Sequence, residues 1–118
     1  MNFEYHETSS ECATLLLKGE MDAEGCVKLR PTLEELVEKD IHTHVVIDFT
    51  DVTFLDSSGI GAIVFLFKRL KTAKRSMEIV GAQGQPSELM KLLRIDKAIP
   101  VTISDSTAST AELHKCTI

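Results

Sequence analysis

The run HVVIDF, from His44 to Phe49, constrains the chain more than any other stretch. It is apolar almost without interruption and rich in β-branched residues. Strands of this kind are buried on both faces, which calls for a sheet covered by other elements. The neighbouring segments fit that demand. FEYHE and CATLLLKG read as short strands joined by the polar turn TSSE, and so short a link makes them antiparallel neighbours. In DAEGCVKLRPTLEELVEKD, residues Val27, Leu29, Leu33, Leu36 and Val37 approximate helical spacing behind Asp22, a candidate cap. Pro31 lies inside this segment and either kinks the helix or marks its true start.

The pattern then predicts a helix from Ser57 to about Lys74, a strand around MEIVGA, and a short helix from Pro86 to Arg94. A strand around AIPVTI follows, placed at a sheet edge by Pro100. A last helix is expected from Ser104 or Asp105, fading before Cys116. The expected class is α/β, with one domain over residues 1–118. Its mixed sheet has four to five strands and an N-terminal antiparallel hairpin, and about four helices flank it.

Composition excludes several functions. The chain has 118 residues and a formal net charge of −5, which argues against nucleic-acid binding through a general field. That charge favours a soluble monomer when the protein is alone. The three cysteines, Cys12, Cys26 and Cys116, are widely spaced with no C-x-x-C pair. Neither a disulfide framework nor a zinc site is expected from them, and reduced thiols in a cytoplasmic protein are the simplest reading. No apolar run approaches the roughly 20 residues needed to span a bilayer. The start MNFEYHE has neither the basic nor the apolar region of a signal peptide.

The chemistry concentrates in FLDSSGIGAIVF, where strand hands over to helix. Ser57 is a candidate N-cap, and a helix start also welcomes an anion through its free N–H groups. Gly59 and Gly61 remove side chains from the first turn, so another molecule's backbone could approach. At about 100° per residue, Ile60, Ile63, Val64, Phe67 and Leu70 share one face, expected to be core. The opposite face carries Ser58, Ala62, Phe65, Leu66 and Arg69, and apolar residues on an outward face suit a docking surface.

Catalysis at Ser57 has less support. A nucleophile elbow needs G-x-S-x-G, and position 55 is Leu. GIGAIV has Val64 where a dinucleotide fingerprint needs its third glycine, and no G-x-x-x-x-G-K-[ST] occurs. A serine hydrolase would need a base from among His6, His42, His44 and His114, none of them close in sequence. A His42–His44 metal pair is outweighed by a solvated strand entry. No catalytic residue, cofactor or metal is therefore expected.

The stretch VVIDFTDVTFLDSSGIGAIVFLFKRLK, with LLLKGEMDAEG upstream, resembles the STAS domain of bacterial anti-sigma factor antagonists. The resemblance covers nearly the whole chain. It implies that Ser57, directly after Asp56, is phosphorylated by a partner serine kinase that is itself the anti-sigma factor. The unphosphorylated protein would bind that kinase and free its target. Phosphorylation would release the complex, and a metal-dependent phosphatase would restore it. Asp22 falls where the family places an acid beside the phosphoacceptor and would shape the kinase interface. A scaffold without phosphorylation, or a switch controlling secretion, biofilm formation or stress complexes, is the alternative. Two features depart from the family: Arg94 stands where the third helix usually ends with a Gly-Leu-type pair, and Phe65 is bulky for the docking face.

Overall fold

The computed structural model describes residues 2–39 and 43–103. The helix expected after Ser104 lies outside the described residues. The order is β1 (Asn2–Glu7), β2 (Cys12–Met21), α1 (Ala23–Lys39), β3 (His44–Leu55), α2 (Ser57–Thr72), β4 (Ser76–Ala82), α3 (Gly84–Leu92), α4 (Ile95–Ala98) and β5 (Val101–Ile103). The strands form one five-stranded sheet in chain order. β1 runs antiparallel to β2, and every later pairing is parallel. This is the expected mixed α/β domain with its N-terminal hairpin, and β5 takes the edge that Pro100 predicts.

One row of register partners crosses the whole sheet: Tyr5, Leu15, Ile47, Ile79 and Val101. Because side chains alternate along a strand, this row and the rows two residues away face the same side. There they meet Leu29, Leu33 and Leu36 of α1 and Ile63, Leu66 and Leu70 of α2 in the main core. Val46 points the other way and is buried with Cys12 in a smaller cluster. HVVIDF is therefore covered on both faces, as its composition requires.

Several local expectations need correction. Val27 does not share the buried stripe of α1; it is 74% exposed. Pro31 sits well inside α1, which runs on past it. Its ring has no N–H with which to close the helical bond to the Val27 carbonyl. β3 continues to Leu55, beyond the apolar run. The third helix stops at Leu92, and a separate short α4 begins at Ile95. Between them Arg94 adopts the left-handed conformation, with φ 59°. That conformation normally falls to glycine at a helix end, and it matches the departure noted at this position.

The α2 core stripe is also rotated from its expected position. Gly59, Ile63, Leu66 and Leu70 are buried, while Ile60 and Phe67 flank them half-buried. Leu66, expected on the outward face, is 2% exposed. The cause is Gly59. A Cβ there would lie 2.7 Å from the Met21 carbonyl oxygen and would collide with Leu55 Cδ1. The bare glycine lets α2 press onto the ends of β2 and β3, which turns the 59–63–66–70 stripe inward. Gly59 therefore serves packing within the chain.

Candidate functional site

β2 and β3 are parallel neighbours, and their last paired residues are Met21 and Leu55. The next residue on each strand is an aspartate. Asp22 Oδ1 accepts from the Gly25 amide at 2.9 Å and caps α1. Asp56 Oδ1 accepts from Ser58 N at 2.9 Å and from Gly59 N at 3.2 Å, and caps α2. Two helix starts and two carboxylates thus meet at the carboxyl ends of adjacent parallel strands.

The cap of α2 is Asp56 rather than Ser57, which corrects the sequence reading. Both residue types cap well, and the carboxylate lies one residue earlier. Ser57 is left as the first helical residue, exposed. The anion-accepting character expected of this helix start is already partly satisfied by Asp56, because two of its free N–H groups are engaged.

The end of β3 is held by a residue the sequence did not single out. β3 pairs with β4 only as far as Asp48–Val80, so its later residues lose their neighbour on that side. Gln85 of α3 replaces it. Its Oε1 accepts from Leu55 N at 2.8 Å, and its Nε2 donates to Leu55 O at 2.7 Å. Gln83 Nε2 donates to Thr50 O at 2.9 Å in the same manner. Side-chain amides thus continue the ladder where no strand is available, and they fix the last turn before Asp56.

A groove of about 510 Å³ runs from this joint between α1 and α2. Cys26, Val27 and Arg30 line one wall; Ser58, Gly61, Ala62 and Phe65 line the other. Nothing lies within 4 Å of a Cβ added at Gly61, so this glycine does leave open space. Phe65 is half-buried, with the Arg30 guanidinium 5.9 Å and the Arg69 guanidinium 5.4 Å from its ring centroid. Burial raises the Cys26 thiol pKa above its ordinary value, and the nearby Asp56 and Asp22 carboxylates raise it further. Of the residues expected at a docking face, Asp22, Asp56, Ser58, Ala62 and Phe65 gather at the joint or along this groove, and Arg69 flanks it against the Phe65 ring. Gly59 and Leu66 lie beneath it.

The described histidines lie elsewhere. His44 opens β3, the full length of that strand away from Ser57, and His6 is on β1, two strands over, in the row of Thr14 and Val46. His44 Nε2 is 3.0 Å from Glu78 Oε1, and its Nδ1 is 2.5 Å from Ser76 Oγ. His42 and His114 are outside the described residues. Among the described residues no group of three or more His, Cys, Asp or Glu is placed to hold a metal ion.

The profile of the STAS domain family matches residues 6–110 of this chain. The chain belongs to the STAS domain family. Among curated relatives, the anti-sigma-B factor antagonist of Listeria monocytogenes is 25% identical over 101 residues, which covers 86% of this chain and 88% of that protein. Among solved structures, an anti-sigma factor antagonist from Mycobacterium paratuberculosis superposes with a TM-score of 0.80 at 20% identity, over 93% of this chain and 92% of that one. The Bacillus cell fate determinant SpoIIAA in its phosphorylated form gives 0.71 at 14% identity, over 95% and 99%. The STAS fold here is therefore shared with proteins whose sequences have diverged widely, and nearly the full length is involved.

Proposed function

We propose that this STAS domain is an anti-sigma factor antagonist switched by phosphorylation of Ser57. The observation that carries this reading is the division of labour at the joint. Asp56 does the capping, and the Ser57 hydroxyl stands exposed with no local role in the fold. A serine without a base nearby is unsuited to act as a nucleophile on its own. It is well suited to be a substrate, because a kinase supplies the base and the metal-bound phosphates. In its unphosphorylated form the protein binds the anti-sigma serine kinase and frees that kinase's target. A metal-dependent phosphatase resets it. The names of the Listeria and Mycobacterium relatives support the antagonist role, and the phosphorylated SpoIIAA supports the modification.

The energetics favour a switch of attachment over a switch of shape. A phosphate adds about −1.5 to −2 charges. Asp56 already holds the Ser58 and Gly59 amides, so the helix start repays little, but an exposed group has water to solvate it. Against a partner the balance changes. Like charges about 4 Å apart repel by about 4 kcal/mol at an effective dielectric of 20. A hundredfold loss of affinity takes only about 2.7 kcal/mol. Asp22 and Asp56 make the local field negative before any phosphate arrives.

The test is incubation with the cognate kinase and ATP, followed by mapping of the phosphate by mass spectrometry. Modification at Ser57 is expected; modification elsewhere, or none, overturns the reading. Ser57→Ala should keep kinase binding and block release, and Ser57→Asp should weaken binding. The same protein controlling an output other than a sigma factor would pass the kinase test and differ only in the kinase's second partner.

A further inference from the structure

The groove between α1 and α2 has features that neither capping nor packing explains. Val27 is 74% exposed on a helix whose other large aliphatic residues are turned inward or half-buried. Opposite it, Gly61 leaves the wall open, so an incoming side chain meets apolar surface and no obstruction. Farther along, Phe65 lies within cation–π distance of two guanidiniums, those of Arg30 and Arg69. Arg30 shares its charge with Glu34 across an exposed 3.8 Å contact, a pairing worth little in water. Arg69 has no ion pair among the described residues. In a chain of net charge −5, this is a local concentration of positive charge on apolar surface.

From these features we infer that the groove receives an acidic segment of the partner protein, with an apolar side chain seated between Val27 and Gly61 and carboxylates on Arg30 and Arg69. This rests on the reading of the joint as a partner-binding site and adds the chemistry of what binds. The two ends of the groove have opposite sign: Asp22 and Asp56 at the Ser57 end, Arg30 and Arg69 toward the other. A segment with its carboxylates at the arginine end fits, and one reversed end for end sets its carboxylates against Asp22 and Asp56 and leaves the arginines without a counter-charge. An arginine fork can bind a carboxylate through two parallel N–H···O bonds, and both guanidiniums lie within cation–π distance of the Phe65 ring. Charge complementarity of this kind selects partner and orientation more than it adds raw affinity.

The test uses the full chain and a phage-displayed library of short random peptides as the probe. Peptides selected on the wild type should be enriched in Asp and Glu next to Leu or Phe. The strongest of them, made synthetically, should shift the methyl resonances of Val27 and Ala62 and the Gly61 amide. Its affinity should fall about tenfold or more on Arg69→Glu and on Arg30→Glu, since both exposed side chains tolerate reversal without loss of fold. Gly61→Leu should block the groove as well, checked for folding by circular dichroism. Selection of basic or uncharged peptides, no enrichment over an unrelated protein, binding that survives both reversals, or shifts confined to another surface each overturns the inference. Failure of Ser57 phosphorylation would overturn the switch and leave the peptide result standing, so the two failures are distinguishable.

Discussion

Met21 and Leu55 form the last rung of the β2–β3 ladder, and the residue after each is an aspartate that caps a helix. The parallel register sets the two caps side by side. Everything distinctive about the site follows from that pairing: two helix starts, two carboxylates and one uncommitted serine hydroxyl.

Asp56→Ala removes a carboxylate that holds two amides. Loss of an N-cap of this kind costs about 1 kcal/mol, within a range of about 0.5–2. Urea denaturation should show this as a lowered midpoint with an unchanged slope. Asp56→Ser should recover most of the loss, since serine caps nearly as well.

The two glycines of the first turn should respond in opposite ways. Gly59→Ala drives a Cβ to 2.7 Å from the Met21 carbonyl oxygen, a backbone atom that has little room to yield. Overpacking of this sort costs about 1–3 kcal/mol. Gly61→Ala meets nothing within 4 Å and should gain up to about 1 kcal/mol from helix propensity. Thermal denaturation of both variants gives the comparison directly.

Gln85→Ala strips both backbone partners from Leu55. The half-buried peptide group is left to find water, at a cost of about 1–3 kcal/mol. Amide exchange at Leu55 and Asp56 should accelerate well beyond the global change in stability. A uniform change across the chain would mean that the amide clamp has no special hold on the joint.

Arg94 carries its left-handed backbone with a full side chain. Arg94→Gly relieves a conformational cost of about 1–2 kcal/mol, part of which returns as the greater freedom of the unfolded glycine. A net gain of about 1 kcal/mol is expected in chemical denaturation.

Cys26 offers a readout of charge at the joint. Burial, then Asp56, then Asp22 disfavour its thiolate, so its pKa is raised from the ordinary 9.0. Only the thiolate is alkylated, so iodoacetamide should react with Cys26 more slowly at pH 8 than with an unstructured thiol. A phosphate on Ser57 adds negative charge nearby and should push the thiol pKa up again. Alkylation of the phosphorylated protein should therefore be slower still, by quantitative peptide mass spectrometry.

The alternation of elements was legible because each has a strong local pattern: HVVIDF as a buried strand, Leu29–Leu33–Leu36 as a helix stripe, Pro100 at an edge. The strand-to-helix joint at Ser57 was legible from the D-S-S-G-x-G stretch. What was not legible depended on contacts between elements. The face of α2 is decided by how closely Gly59 seats against Met21, and a helical wheel holds no record of that distance. Asp56 and Ser57 are both good caps, and only the path of the chain leaving Leu55 chooses between them. Gln85 has no local signature at all, because its role arises from β3 outrunning β4. The exposure of Val27 depends on where α2 lies beside α1.

The joint is braced from below by Gly59 against Met21, and from the side by Gln85 against Leu55. Val27, Gly61, Phe65 and Arg69 take no part in that bracing. Substitutions at these surface positions therefore leave the corner that presents Ser57 intact, so the face beside the joint and the geometry of the joint itself can vary independently.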